Sequence, residues 1–468
     1  MRVALMDLHF LQLTELANLL RRREVTSVEA TRAQLERIDR LDGQLASYAR
    51  TTPGQAMAAA AVADAEIAAG RYRGTLHGVP LGVKDLFWTR GVPTAAGTML
   101  HRDFVPDEDA TVVARLKEAG AVLLGKLQMT EGAYSDHHPG INPPKNPWNA
   151  AYWTGISSSG PAVATAGGLC YGALASDTGG SIRWPCGATG LTGIKPAWGR
   201  VSRFGVLPLA PSLDHVGPIA RSAADAAAIL AAVAGPDARD PTSLAEPFAV
   251  GNAFDGSARD LRLGIDATWN SVDVDPTVRK VTAEAEEVFR CLGVRVVPVR
   301  VPDMTQAIRD WVPACALEAA VAHGATFPAR RDEYGPVLAS VLDAGLRVCA
   351  LDYQAIRLRR MDLRGRFAHL FQTIDALLVP VQPFAPLTLS EISTLGDQPE
   401  LILKLQRYTA PFDLTGHPTV TLPGGFTDGN MPIGLQLAGR HETALIRAAM
   451  AFQRETHWHA QRPPEPRL

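Results

Sequence analysis

The chain has 468 residues, with 46 Lys and Arg against 48 Asp and Glu, and 46% of its residues are hydrophobic. This composition supplies apolar material for a large core and excludes a disordered or collagen-like chain. The formal net charge of −2 provides no basic surface for a phosphate backbone or an anionic membrane, so we expect neither nucleic acid nor a membrane as a partner.

The cysteines and the first residues indicate the compartment. Five cysteines occur, an odd number, and no CxxC motif is present, which argues against a disulfide framework and against a redox motif. The N-terminal run MRVALMDLHFLQLTEL lacks the continuous apolar core and the cleavage site of a signal peptide. No spacing of His, Asp and Glu suggests metal ligands. We therefore predict a soluble cytoplasmic protein without a metal site.

Helix signals alternate with strand signals along the chain. Thr26 and Glu29 stand in capping-box register at the start of an amphipathic helix. Residues 111–120 predict a helix closed by glycine, and residues 121–125 predict a short buried strand. The same signals return later, with a helix over 276–293 and strands over 261–265, 294–299, 375–381 and 432–437. This alternation is typical of an α/β fold.

Three segments depart from that alternation. Residues 154–205 are rich in Gly, Ser, Ala and Thr, but the interleaved Val, Leu, Ile and Trp require burial, which favours buried functional loops over a flexible linker. Residues 236–260 predict a surface excursion. The Arg-rich run 357–366 predicts a solvated helix face rather than an anion site.

The run ASDTGGSIRWPCG places Ser181 directly after two glycines. Because glycine adopts positive φ easily, the backbone N–H groups of Thr178, Gly179, Gly180 and Ser181 could converge on one point as an oxyanion hole. The alternative is a glycine-rich turn that carries an ordinary serine. The sequence contains no HExxH, GxGxxG or Ser-x-x-Lys pattern, and the serine does not stand in GxSxG. These absences argue against a metalloprotease, a dinucleotide-binding enzyme, a β-lactamase and a hydrolase with a nucleophile elbow.

A serine nucleophile needs a base, and the histidines have no spacing that marks one. Lys84 stands in the apolar, glycine-containing run HGVPLGVKDLFW, where burial would lower its pKa and let the neutral amine accept a proton. The alternative is a lysine that pairs with Asp85 or reaches water. Ser157, Ser158 and Ser159, between two glycines, could relay a proton or cap the helix that follows.

Taken together, these segments resemble the amidase signature family. The match runs through GISSSGPAVATAGGLCYGALASDTGGSIRWPCG, in which Ser157 precedes Ser181 by 24 residues. It extends to HGVPLGVKD, to GLTGIKPAWGRVSRFGVLPLAPSLDHVGPIARS, to FDLTGHPTVTLPGGF and to PIGLQLAGR. The resemblance implies a single large α/β domain whose mixed, mostly parallel central sheet is covered by helices on both faces. It covers most of the chain, and the part from about 236 to 400 least clearly.

The resemblance also implies a Ser-cisSer-Lys mechanism. It gives Ser181 the role of the acylated nucleophile, Ser157 that of a relay serine held by a cis peptide bond, and Lys84 that of the base. It assigns supporting roles to three neighbours: Ser158, Asp177 and Arg183. We expect the pocket walls to come from the loop 129–140, with Ala133 and Tyr134 nearest the substrate, and from Trp184, and these aromatic side chains favour an apolar or aryl substrate. Departures from the family pattern are Ile156, Pro161, Ser176 and Trp184.

We therefore predict an amidase that hydrolyses a small-molecule carboxamide or anilide to an acid and an amine or ammonia, without a cofactor. One domain would span 1–468, with an N-terminal helical region over about 7–70, a catalytic core over about 71–235 and 370–440, and a more variable substrate-side region over about 236–369. A homodimer is the assembly expected by default.

Three alternatives remain open. The first is the glutamine-hydrolysing subunit of a tRNA-dependent amidotransferase, although ALEAAVAH, around Glu318 to His323, lacks the Arg-containing, Asn-rich segment expected to bind the glutamine carboxylate. The second is an esterase, because the same acyl-enzyme forms more easily from esters. The third is a non-catalytic binding protein on the same fold, against which the presence of all three catalytic side chains argues.

Overall fold

The computed structural model describes residues 5–248, 257–393 and 398–465. Within these ranges one sheet contains eleven strands, in the order β1-β3-β2-β4-β6-β5-β10-β11-β9-β7-β8. The strands are β1 (Tyr48–Thr51), β2 (Pro80–Lys84), β3 (Val122–Leu127), β4 (Gly172–Asp177), β5 (Thr192–Lys195), β6 (His215–Ala220), β7 (Arg262–Ile265), β8 (Arg295–Pro298), β9 (Ala376–Pro380), β10 (Thr419–Phe426) and β11 (Pro432–Gly439).

Helices flank this sheet. In the described ranges they are α1 (Leu13–Arg22), α2 (Ser27–Leu45), α3 (Pro53–Ala68), α4 (Thr111–Glu118), α5 (Ser159–Ala166), α6 (Arg183–Thr189), α7 (Ala223–Val233), α8 (Pro276–Cys291), α9 (Thr305–Ala322), α10 (Pro336–Gly345), α11 (Ala350–Leu370), α12 (Leu389–Ser393), α13 (Pro399–Gln406), α14 (Ala410–Thr415) and α15 (Glu442–Glu455). None of these helices combines the length and the apolar composition that crossing a bilayer requires.

The sheet is mixed, which confirms that part of the predicted fold. The prediction that it is mostly parallel is wrong, because only four of the ten described pairings are parallel, β2 with β3 and β4, and β7 with β8 and β9. The other six are antiparallel. A helix connects the parallel neighbours β7 and β8, as the helix–strand alternation suggests, whereas a short turn joins β10 to β11, and such turns connect antiparallel neighbours.

The predicted elements lie where the patterns indicated, with ends shifted by a few residues. The capping box at the start of α2 is present, since the Thr26 hydroxyl accepts from the Glu29 amide at 3.1 Å and the Thr26 amide donates to the Glu29 carboxylate at 2.9 Å. Helices α4 and α8 and strands β3, β7, β8, β9 and β11 match the other predicted segments. The proposed division of the chain into regions stays a prediction.

Two of the three irregular segments agree with expectation only in part. Residues 154–205 are almost wholly buried, as predicted, but they form α5, β4, α6 and β5 as well as loops. The Arg-rich run lies on α11, and there Arg360 turns inward to donate to Ser212 Oγ at 2.6 Å and to Leu414 O, so the fully solvated face is wrong for that residue. Residues 249–256 of the predicted surface excursion lie outside the described ranges.

Strands β2 and β4 position the chemistry. They are parallel neighbours, with Gly82 opposite Ala173, and every residue of both strands is buried. Parallel strands end at the same edge of a sheet. Lys84 at the end of β2 therefore lies beside Ser176 and Asp177 at the end of β4.

Candidate active site

Lys84 lies at the centre of a cluster of hydroxyl groups. Its side chain is 0% exposed, and its Nζ is 2.7 Å from Ser157 Oγ, 2.9 Å from Ser158 Oγ and 2.9 Å from Ser176 Oγ. Lys84 makes no ion pair with Asp85 within the described ranges, because Asp85 instead faces Lys126 at 3.6 Å. The predicted alternative of a Lys84–Asp85 pair is therefore wrong.

The surroundings of Lys84 favour its neutral form. Burial lowers the pKa of Lys84 from 10.5 to about 7, although the negative charges of Asp177 and Asp214 act in the opposite direction. Desolvation penalises an ammonium group more than a neutral amine. Near neutral pH this amine is therefore able to accept a proton.

Ser157 and Ser158, which directly precede α5, contact Lys84. The peptide bond between Ile156 and Ser157 is cis. Ser158 does not cap α5 through its side chain; its Oγ donates to Ser176 O at 3.1 Å. Ser159 points elsewhere, with its Oγ 3.0 Å from His137 Nε2. Helix capping therefore does not account for these hydroxyls, two of which contact Lys84.

The loop after β4 folds around the carboxylate of Asp177. That carboxylate accepts from the Gly180 amide at 2.7 Å, so one of the four amides expected to converge is already engaged inside the loop. Within the described ranges no acceptor is found for the amides of Thr178, Gly179 and Ser181. Gly180 has a φ of 142°, a conformation that side-chain-bearing residues rarely adopt.

Arg183 holds the same loop through contacts of its guanidinium. Its guanidinium is fully buried, with Nη2 2.7 Å from Asp177 Oδ1 and 2.5 Å from Asp413 Oδ2, and Nη1 2.8 Å from Thr409 O. Burial alone would raise the pKa of Asp177, but the guanidinium holds that pKa well below its usual range. For Asp413 burial prevails and raises the pKa well above the ordinary value. The two carboxyl groups that contact Arg183 therefore have pKa values shifted in opposite directions.

Ser181 stands at the exit of this loop and is 6% exposed. Its hydroxyl has no hydrogen-bond partner in the part of the chain that the structure describes. The structure thus brings Lys84 and Ser157 into direct contact, but it does not join Ser157 to Ser181 by a hydrogen bond.

Two further side chains hold the loop, and the sequence patterns did not single them out. The Thr178 hydroxyl donates to Asp214 Oδ1 at 2.7 Å, and the Thr178 carbonyl accepts from Trp311 Nε1 at 2.9 Å. Asp214 lies within the matched run SLDHVG, so the resemblance could have identified it. Trp311 lies on α9, in the region where the resemblance is least clear, and no local signal marks it.

The predicted pocket residues belong to segments that contact the serine-containing loops. The Thr130 amide donates to Ser157 O at 3.3 Å, which places the loop containing Ala133 and Tyr134 next to the proposed relay. The ring of Trp184 occupies the space where a side chain at position 180 would go. In the described ranges no group of three or more His, Cys, Asp or Glu side chains could hold a metal ion.

Comparisons with known proteins place the chain among amidases. The family model described as Amidase matches residues 29–443. The chain is 49% identical to "Putative amidase AmiD" of Mycobacterium tuberculosis, over 97% of this chain and 96% of that protein. It is 36% identical to a glutamyl-tRNA(Gln) amidotransferase subunit of Geobacter metallireducens, over 98% of this chain and 99% of that protein.

Solved structures give the same picture. The peptide amidase from Stenotrophomonas maltophilia is similar with a TM-score of 0.81 and 29% identity, over 97% of this chain and 98% of that one. A bacterial aryl acylamidase of the amidase signature family is similar with a TM-score of 0.87 and 25% identity, over 97% of this chain and 98% of that one.

Proposed function

The chain belongs to the amidase signature family and is an amidase, and we propose that it hydrolyses a carboxamide or an anilide through an acyl-enzyme on Ser181. The observation that carries the proposal is the 2.7 Å contact between Lys84 Nζ and Ser157 Oγ. It joins a base with a lowered pKa to a hydroxyl group in a fully buried setting.

The three hydroxyl groups around Lys84 can accommodate the neutral amine that the proposed reaction requires. Ser158 Oγ donates its own proton to a carbonyl, so it accepts from Lys84. A neutral amine has two N–H groups and one lone pair. In the neutral form that the proposal requires, the two N–H groups donate to Ser158 and Ser176, and the lone pair is left to face the Ser157 hydroxyl.

In the proposed reaction Lys84 takes the proton of Ser157, and Ser157 takes the proton of Ser181. The Ser181 oxygen then bonds to the carbonyl carbon of the substrate, and the carbonyl oxygen becomes an oxyanion. When the tetrahedral intermediate collapses, the C–N bond breaks and the proton returns through Ser157 to the leaving nitrogen. A water molecule, deprotonated by the same route, cleaves the ester and releases the carboxylic acid.

The oxyanion would be stabilised by backbone amides of the loop. We assign this role to the amides of Thr178, Gly179 and Ser181, which have no acceptor in the described ranges. The Gly180 amide is left out of the assignment because it donates to Asp177. Donors that are fixed before the reaction contribute most where charge develops in the transition state.

A substrate panel with a labelling assay tests the proposal. We expect the wild type to hydrolyse at least one of an aryl amide, an aliphatic amide and glutamine, and a fluorophosphonate probe to label Ser181. Ser181→Ala should lose both properties. Ser159→Ala is the matched control and should keep the label, since Ser159 contacts His137 rather than Lys84. Unchanged hydrolysis by Ser181→Ala would overturn the proposal.

A second candidate is a glutamine-hydrolysing subunit of a tRNA-dependent amidotransferase. The 36% identity to an amidotransferase subunit supports it. In the segment from Glu318 to His323, the Glu318 carboxylate accepts from the Ser212 amide at 2.8 Å and from the Tyr353 hydroxyl at 2.9 Å, and the segment contains no arginine to bind a glutamine carboxylate. We therefore place the free-standing amidase first. Reconstituted tRNA amidation separates the two.

We also propose that the enzyme works in the cytoplasm on a small-molecule amide, as a homodimer. All five cysteines are free, which is consistent with a reducing compartment. Light scattering of the purified protein tests the assembly, and a monomer at working concentration would contradict it.

A further inference from the structure

Trp311 contacts the nucleophile loop at two neighbouring residues. Its Nε1 donates to the carbonyl of Thr178 at 2.9 Å. Its ring lies against Gly179, where an added Cβ would overlap the indole. Trp311 is 6% exposed, so this hydrogen bond is shielded from competition with water.

This hydrogen bond fixes the direction of an amide in the loop. In a trans peptide the carbonyl and the following N–H point in opposite directions. The peptide between Thr178 and Gly179 is trans, since the cis bonds of the described residues lie elsewhere. Because the Thr178 carbonyl points at Trp311, the Gly179 N–H points away from the indole. That N–H has no acceptor in the described ranges and belongs to the proposed oxyanion hole.

Both partners of the hydrogen bond are held in place. The Thr178 hydroxyl donates to Asp214 Oδ1 at 2.7 Å, which ties down the other end of the same residue. On α9, the Asp310 carboxylate next to Trp311 binds Arg359 of α11 through two contacts, of 2.7 and 2.8 Å. The indole therefore acts from a fixed position.

We propose that Trp311 is a positioning residue for the oxyanion hole. Its indole N–H holds the Thr178–Gly179 peptide in the orientation that presents the Gly179 amide to the developing oxyanion. This proposal rests on the proposed function of the site. Because the bound substrate carries no such charge and negative charge on the oxygen develops as the transition state forms, loss of this bond should lower kcat and leave KM nearly unchanged.

Two variants remove the N–H in different ways. Trp311→Phe deletes the donor and shrinks the ring. Site-specific replacement of Trp311 by 3-benzothienylalanine keeps the bicyclic shape and substitutes sulfur for the N–H group. Trp198→Phe is the matched control, because the buried Nε1 of Trp198 has no hydrogen-bond partner among the described residues.

The readouts are kcat, KM and inhibition by a peptide-like aldehyde that forms a tetrahedral adduct with Ser181. For both Trp311 variants we expect kcat to fall about tenfold, KM to stay within about twofold, and aldehyde binding to weaken by the same factor as kcat. Trp198→Phe should match the wild type in all three quantities. The benzothienyl variant keeps the test valid if the smaller phenyl ring disturbs α9.

The outcomes distinguish the two proposals. A wild type without Ser181-dependent hydrolysis would overturn the proposed function itself. Ser181-dependent hydrolysis together with an unchanged kcat in the benzothienyl variant would overturn the role of Trp311 alone. A rise in KM with unchanged aldehyde affinity would also overturn it, because that pattern indicates lost substrate contact rather than a misplaced amide.

Discussion

The carboxylate of Asp177 accepts the amide hydrogen of Gly180 at 2.7 Å, so the residue before the proposed nucleophile is tied to the last residue of β4. The same carboxylate binds the Arg183 guanidinium at 2.7 Å. One buried carboxylate therefore both shapes the turn and pairs with the Arg183 guanidinium.

The two carboxylates around Arg183 should respond differently to substitution. Asp177→Asn removes an ionised partner and should lower the free energy of unfolding by about 3–5 kcal/mol, because it leaves the buried guanidinium uncompensated. Asp413→Asn should cost much less, since burial raises the pKa of Asp413 and favours a neutral acid that an amide resembles. Urea denaturation of both variants measures the difference. Equal losses would contradict the assignment of the charge to Asp177.

Lys84→Met should lower the rate of amide hydrolysis by roughly 10³-fold or more. Slow turnover of activated esters should remain, because expulsion of a good leaving group depends less on proton transfer. Parallel assays on an anilide and on a nitrophenyl ester measure the ratio. Lys126→Met is the matched control: Lys126 is equally buried but donates to Thr94 Oγ1 at 2.7 Å. It should reduce thermal stability and preserve the amide-to-ester ratio. Full amide activity in Lys84→Met at neutral pH would exclude Lys84 as the base.

The pH dependence of kcat/KM should show an acid limb with an apparent pKa of about 7, the value to which burial lowers the pKa of Lys84. Below that pH the ammonium form has no lone pair, so the rate falls about tenfold per pH unit, and above it the rate reaches a plateau. A profile measured with an uncharged amide tests this. A limb near the ordinary lysine value would show that the active form is not the buried neutral amine.

The lowered pKa of Lys84 should also make the free energy of unfolding rise with pH. In the unfolded chain the pKa of Lys84 returns to about 10.5, whereas in the folded protein it is about 7. Between these values the unfolded state binds more protons, so the free energy of unfolding rises with pH. Thermal melts of the wild type and of Lys84→Met across this window isolate the contribution, and parallel pH trends for the two proteins would contradict it.

Local sequence patterns predicted the proposed catalytic side chains, but they did not predict the contacts that hold the nucleophile loop in place. Lys84, Ser157 and Ser181 stand in short runs whose neighbouring residues indicate their setting. The apolar residues beside Lys84 predict burial, and the glycines beside Ser157 and Ser181 predict tight loops. The Arg183–Asp413 contact joins residues 230 positions apart, and no local spacing encodes it. The Trp311–Thr178 hydrogen bond, across 133 positions, depends in the same way on how α9 packs.

The sheet shows the same division. Alternating helices and apolar strands predicted an α/β class and the strands β3, β7, β8, β9 and β11. They could not predict that β4, β6, β5, β10, β11 and β9 pair as antiparallel neighbours, because strand order depends on contacts between distant segments rather than on periodicity.

The indoles of Trp311 and Trp184 fill the volumes into which side chains at positions 179 and 180 would project. A larger residue at either glycine would therefore overlap the indole that faces it, so redesign of this loop for other substrates cannot begin with the glycines. Libraries that shrink one indole before they vary its glycine should yield far more active clones than libraries that randomise the glycines alone.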